Sequence, residues 1–133
     1  MPFAVGDVVA ERTVHLTRES LVRYAGASGD FNPIHYRDDI AASVGLPGVL
    51  AHGMLTMGIA SSVVVAALEP GAQILDYGVR FTKPVVVDPN DGADLHVLAT
   101  VGAVDETSTR IDLKVTFGEM TVLVKAQLRV AVR

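Results

Sequence analysis

Met54-Leu55-Thr56-Met57-Gly58-Ile59-Ala60-Ser61-Ser62-Val63-Val64-Val65-Ala66-Ala67-Leu68 is the stretch on which the fold turns. A membrane span needs about 20 consecutive apolar residues. This run has 15, is interrupted by Thr56, Gly58, Ser61 and Ser62, and is closed by His52 in front and Glu69-Pro70-Gly71 behind. Val63-Val64-Val65 carries strand propensity, but the length and the Ala/Met content of 53–68 favour a helix. Apolarity all round the wheel predicts a helix buried on every side.

The segments around it change period. Leu21, Val22, Tyr24 and Ala25 recur at helical spacing over 18–27, behind Thr17 as N-cap. A shorter helix is expected over 38–44, ended by Gly45 with Pro47 just beyond. After Pro70 the period becomes two. Ile111, Leu113, Val115 and Phe117 alternate with polar residues, as do Val124, Ala126, Leu128, Val130 and Val132 on a strand running to Arg133. Residues 94–104 and 73–87 read the same way, with Pro84 marking an edge or a bulge, and Val8–Leu16 adds another strand. The expected architecture is therefore α+β: one domain over 1–133, an antiparallel sheet with one wet face wrapped around a long central helix. Such a sheet leaves open edges, which predicts pairing with another copy or a similar subunit.

Composition narrows the function. The chain has 133 residues, 50% hydrophobic and 20% charged, and a mean hydropathy of +0.39, which excludes intrinsic disorder. A net charge of −4 without any block of like charge argues against nucleic acid and anionic membrane as partners. The absence of cysteine removes disulfides, thiolate nucleophiles and Cys-ligated zinc. No G-x-G-x-x-G or Walker-type loop is present, against nicotinamide or nucleotide-triphosphate chemistry. Met1–Asp7 lacks a basic start followed by an apolar run, so a soluble cytoplasmic protein without membrane insertion is expected.

The informative polar residues cluster in Ser28-Gly29-Asp30-Phe31-Asn32-Pro33-Ile34-His35. Asn32 before Pro33 is an N-cap with proline at the first helical position. That places His35 in a first helical turn, where the dipole disfavours imidazolium. An uncharged His35 beside an ionised Asp30 is an acid/base pair for moving a proton near neutral pH. The bland alternative is that Asp30 and Asn32 cap helices and His35 packs. A metal site would need Asp30, His35 and His52, and no paired-histidine spacing supports one. Gly53, at the start of the long helix, leaves backbone N–H groups uncovered that could hold a carbonyl oxygen gaining charge, or merely allows close packing. Ser61, eight residues on, shares its face, though a buried serine more often bonds back into its own helix. His15 falls in a strand and His96 faces outward. Arg18, Arg23, Arg80 and Lys83 could meet carrier phosphates but are scattered as surface residues are.

Tyr24-Ala25-Gly26-Ala27-Ser28-Gly29-Asp30-Phe31-Asn32-Pro33-Ile34-His35, with Ala41 six residues later, resembles the hydratase-2 motif of the MaoC-like family of R-specific enoyl-thioester hydratases. Ala51-His52-Gly53-Met54-Leu55-Thr56 is similar to the start of that family's central helix. The similarity runs from about Leu16 to the Asn90-Asp91-Gly92 turn, and more weakly to the end. Leu16-Thr17-Arg18, Gly53–Gly58 and Val79-Arg80-Phe81-Thr82 most resemble the B-type catalytic subunits of actinobacterial (3R)-hydroxyacyl-ACP dehydratases of type II fatty acid synthesis.

The resemblance implies a hot-dog fold and a hydro-lyase acting on acyl-ACP or acyl-CoA. Asp30 and His35 would activate the water, Asn32 would orient the loop, and the Gly53 N–H would polarise the thioester carbonyl. It implies no cofactor and no metal, and a homodimer or a heterodimer with a related hot-dog subunit. A hot-dog acyl-thioesterase and a non-catalytic acyl-binding subunit are the competing readings.

Overall fold

Thr17 ends the first strand and starts the first helix. In the computed structural model, which describes residues 2–132, β1 (Val8–Leu16) runs straight into α1 (Arg18–Ser28). The Thr17 side chain accepts from the Ser20 N–H at 3.3 Å while the Ser20 hydroxyl accepts from the Thr17 N–H at 3.1 Å, a reciprocal cap. Gly29 closes α1 at φ 77°, its N–H bonded to the Ala25 carbonyl, a left-handed conformation that favours glycine. A three-residue 3-10 turn (Pro33–His35), α2 (Asp38–Ser43) and α3 (Gly53–Ala67) follow. The chain then lays down β2 (Ile74–Phe81), β3 (Ala93–Val104), β4 (Ser108–Phe117) and β5 (Met120–Ala131). Met1 and Arg133, the latter assigned above to the last strand, lie outside the described residues.

The sheet order is β1-β3-β4-β5-β2 with every pairing antiparallel. Alternation works as expected on β3 and β4, where Leu95, Val97, Ala99, Ile111, Leu113 and Val115 are buried. With Ala126, Leu128 and Val130 of β5 they join Ala60, Val63 and Val64 of α3 in one core cluster. The outer face carries paired charges, Glu11 with His96 at 2.8 Å and Arg110 with Asp112 at 2.8 Å.

Three expectations are corrected. First, α3 is not buried on every side: Thr56, Ala60, Val63 and Val64 are buried, while Met54 is 59% and Val65 49% exposed. A five-stranded sheet covers one face of a helix and leaves the opposite face open. Second, 73–87 is not one strand. β2 stops at Phe81, and after Pro84 the Val85–Val87 segment pairs with 49–51 through a Leu50–Val86 bridge. Proline cannot donate to a ladder, so the strand breaks there. Third, Val124 leaves the inward alternation, and Val132 is 46% exposed beyond the end of β5. Lys125 adopts φ 49°, and the register shifts between Leu113 and Val115 on β4 and between Gly78 and Arg80 on β2. This bulge slips the phase, so Leu123 and Ala126 rather than Val124 face the core. No helix among the described residues is long and apolar enough to cross a membrane.

The turn before β3 is tied to β1. Gly92 sits at φ 69°, and a Cβ there would collide with the Leu16 carbonyl oxygen. Its other end is held by Asp88, whose carboxylate accepts from the Asp91 N–H at 2.7 Å and the Asn90 N–H at 2.9 Å. These bonds, that from Asp91 most, hold the Asp88 carboxyl below its ordinary value. A group depressed in the folded state stabilises above the unfolded carboxylate range and loses that contribution as pH falls through the folded value. Asp88→Asn is therefore expected to lose less stability than the parent between about pH 5 and about pH 3 in urea titrations. Parallel acid-side curves would refute the assignment.

Candidate active site

Every main-chain group of Asp30 is spoken for. Past Gly29, the Asp30 N–H bonds to Ser28 Oγ at 3.1 Å, and Asp30 Oδ1 accepts the Asn32 N–H at 3.1 Å. The Asp30 carbonyl accepts from His52 Nε2 at 3.2 Å. Asn32 Oδ1 in turn caps the Ile34 N–H at 3.2 Å, with Pro33 at the first turn position as expected. These short side-chain bonds fold the loop tightly enough to set Asp30 Oδ2 3.9 Å from His35 Nε2.

His35 is 8% exposed. Its Nδ1 lies 2.7 Å from the Leu50 carbonyl oxygen. A carbonyl only accepts, so Nδ1 carries a proton, and in the uncharged ring Nε2 holds the lone pair, turned toward Asp30. His35 is the last residue of a three-residue turn, too short for the expected macrodipole to act on the ring, and the Leu50 bond sets its tautomer.

His52 lies beneath. It is 1% exposed, stacked on His35 with ring centroids 3.8 Å apart and planes 20° apart, and met edge-on by Tyr24 at 4.8 Å. The bond to the Asp30 carbonyl puts its proton on Nε2, leaving Nδ1 buried without a partner. Burial first, and the adjacent His35 second, push the His52 pKa down. Sequence reasoning weighed His52 only as a metal ligand. A histidine between Ala51 and Gly53 reads as a loop residue, and nothing local reports that it is covered.

Gly53, the first residue of α3, is exposed, and its N–H has no partner among the described residues. The Phe81 ring packs beside it, so that a Cβ on Gly53 would meet Phe81 Cε1 at 3.0 Å. His35, Gly53, Thr56, Phe81, Lys83 and Leu123 line one cleft of about 340 Å³. The fold thus brings His35 and Gly53 to the same opening and Asp30 to the His35 ring. Asn32 is exposed, and its side-chain oxygen is used for the turn cap. Ser61 donates to the Gly58 carbonyl at 3.0 Å, back into its own helix, and lies outside the cleft. His15 pairs with Asp94 at 2.6 Å, Arg18 with Asp38 at 3.0 Å and Arg23 with Glu19 at 3.2 Å. A second cavity of about 240 Å³ beyond the far end of α3, lined by Phe3, Leu68, Val104 and Val130, holds none of the candidate residues.

Asp30, His35 and His52 each offer a ligand atom within 4.8 Å of the others. Imidazole lone pairs lie in the ring plane. Two stacked rings keep their lone pairs in near-parallel planes, which do not converge on one ion.

Comparison with known proteins adds family context. The sequence profile of the MaoC like domain matches residues 4–122. The chain is 39% identical over 82 residues to 3-hydroxyacyl-thioester dehydratase X of Mycobacterium tuberculosis, covering 59% of this chain and 27% of that protein. To the (R)-specific enoyl-CoA hydratase of Rhodospirillum rubrum it is 30% identical over 118 residues, 84% of this chain and 82% of the other. A solved MaoC-like dehydratase superposes with a TM-score of 0.89 at 32% identity, over 97% of this chain and 40% of that one. The chain therefore spans about a quarter of the first relative and two-fifths of the solved chain. The sheet wrapped on α3 is the hot-dog arrangement of these proteins.

Stacked rings predict that dialysis against EDTA leaves the melting temperature unchanged. A reproducible fall, restored by zinc, would place an ion among Asp30, His35 and His52.

Proposed function

Because the chain belongs to the MaoC like domain family, we propose that it is a hydro-lyase. It would add water to trans-2-enoyl thioesters and, in reverse, dehydrate (3R)-hydroxyacyl thioesters carried on acyl carrier protein or coenzyme A. Relatives named as a hydroxyacyl-thioester dehydratase and an (R)-specific enoyl-CoA hydratase support this. The observation that carries it is the 3.9 Å gap between His35 Nε2 and Asp30 Oδ2. That gap is too long for a direct hydrogen bond. A water about 2.8 Å from each atom spans it with an angle near 90°.

The chemistry follows from the tautomer. As the water oxygen bonds to C3, the C2–C3 π pair moves toward C2, and the thioester oxygen gains enolate charge. The Asp30–His35 pair takes a proton from the water, and a proton returns to C2. The Gly53 N–H would hold the thioester oxygen, donating more strongly as charge develops. The thioester itself makes the C2 proton acidic, so the reaction needs no cofactor.

The same proposal includes pairing, and residues 1–133 act in it as one hot-dog domain. The outer edge of β2 is unpaired, and Ile74, Leu75 and Phe81 on this strand are 39%, 49% and 53% exposed. Phe81 also lines the cleft, so a second hot-dog subunit on this edge would finish one wall of the acyl channel. A second copy and a related subunit both fit, and native mass of the purified chain, alone and mixed with candidate subunits, tells them apart.

His35→Ala and Asp30→Asn are each expected to lower hydration of a trans-2-enoyl-CoA by about 10²- to 10⁴-fold with the melting curve retained. Loss of the conjugated enoyl absorbance reports the rate, in the assembly that gives the parent its activity. Parental rates in both variants would end the proposal, and release of free thiol from an acyl-CoA would replace it with thioester hydrolysis.

A further inference from the structure

We propose that His52 is a positioning residue for the Asp30–His35 pair, holding the Asp30 main chain through its Nε2–H and the His35 ring through its flat face. The inference rests on the reading of Asp30 and His35 given above.

Each reactive side chain is left with one free atom. Asp30 is tethered through its N–H to Ser28, through Oδ1 to Asn32 and through its carbonyl to His52, which leaves Oδ2 toward His35. Of these tethers only His52 comes from outside the loop, 22 residues along the chain. The side chain of Asp30 is 50% exposed, so packing does not hold it, and the bond to His52 is what ties the loop to α3. His35 is fixed in its own plane by the Leu50 carbonyl, but a single bond at Nδ1 lets a ring rock about that axis. The His52 ring lies 3.8 Å away at 20° and stops the rocking, leaving only Nε2 to exchange a proton.

Packing alone does not account for a histidine here. His52 is 1% exposed and leaves Nδ1 with no partner, which an apolar ring of the same size would avoid. The groups facing it are Tyr24 from α1, Asp30 and His35 from the loop, and Thr56, whose hydroxyl lies 3.5 Å from the His52 carbonyl. None supplies a donor to Nδ1. Protonation there would set a second cation against His35, and burial opposes it. The ring therefore stays uncharged while its neighbour accepts a proton.

Two variants separate the two contacts. In His52→Phe the flat face survives and the donor to Asp30 is lost. In His52→Gln the amide nitrogen can reach the Asp30 carbonyl, and the flat face is lost. Two readouts apply, steady-state hydration of a trans-2-enoyl-CoA and the nitrogen shifts of His35 in long-range ¹H–¹⁵N spectra, which report its tautomer with no substrate present. Each variant is expected to lower kcat by about tenfold to a hundredfold with KM within about twofold, as displaced reacting groups do. His52→Ala, which removes both contacts at once, should be lower than either. In His52→Gln the His35 Nε2 and ring-proton signals are expected to shift and broaden as the ring gains freedom to tilt, with Nδ1 keeping its proton against Leu50. His52→Phe is expected to melt close to the parent, since losing the unpaired buried Nδ1 acceptor offsets losing the donor to Asp30. Parental kcat in both variants with an unchanged His35 spectrum in His52→Gln overturns the proposal. So does a loss of activity that follows the melting temperature alone. The spectrum separates this failure from that of the proposed function: parental rates in His35→Ala sink the lyase, whereas the His35 ring signals test His52 whatever the substrate.

Discussion

The hydrogen bond from His35 Nδ1 to the Leu50 carbonyl is the constraint on which the site depends, and it is only as firm as residues 49–51. That short segment is laced on three sides. Leu50 N–H bonds to the Ile34 carbonyl at 3.1 Å, Ala51 N–H to the Val85 carbonyl at 2.9 Å, and Val87 N–H to the Val49 carbonyl at 2.9 Å. Val49, Val85 and Val87 are buried, so the lacing is shielded from competing water. The segment then passes directly into His52 and the first turn of α3. One strap therefore sets the His35 tautomer, seats the ring beneath it and places the uncovered amide of Gly53.

Around the strap, polar groups are left without protein partners where chemistry is proposed. His52 Nδ1 is the one buried side-chain polar atom without a partner among the described residues, and it lies against the reactive ring. The Gly53 N–H, at a helix start with no side-chain cap, opens into the cleft. α1 and the Asp88 turn are closed by side-chain bonds, whereas α2, like α3, starts without a side-chain cap.

The half-covered α3 has the same logic at larger scale. Five strands of this length wrap one face, and the bulge at Lys125 bends β5 so that Leu123 and Val122 form the cleft wall. Met54 and Val65 stay exposed on the other face, and β2 offers an open edge. A helix that is apolar all round belongs inside something larger than one such sheet, which is the physical support for the proposed pairing.

Much of this was legible in the chain because its signals are local. The shift from helical to alternating period, the Thr17 cap, the Asn32-Pro33 turn start and the order of Asp30, Asn32 and His35 all act over a few residues. They determined the α+β class and singled out the candidate loop. The strand break after Phe81, the Lys125 bulge and the exposed face of α3 were not legible, because each depends on which strands lie beside which. The His35 tautomer and the burial of His52 belong to the same group. A proton's place on a ring is decided by an acceptor 15 residues away, and a ring's charge by what covers it. Sequence specifies which groups can exchange a proton. Only the tertiary structure, by bringing a carbonyl and a second ring against the first, decides which atom does so.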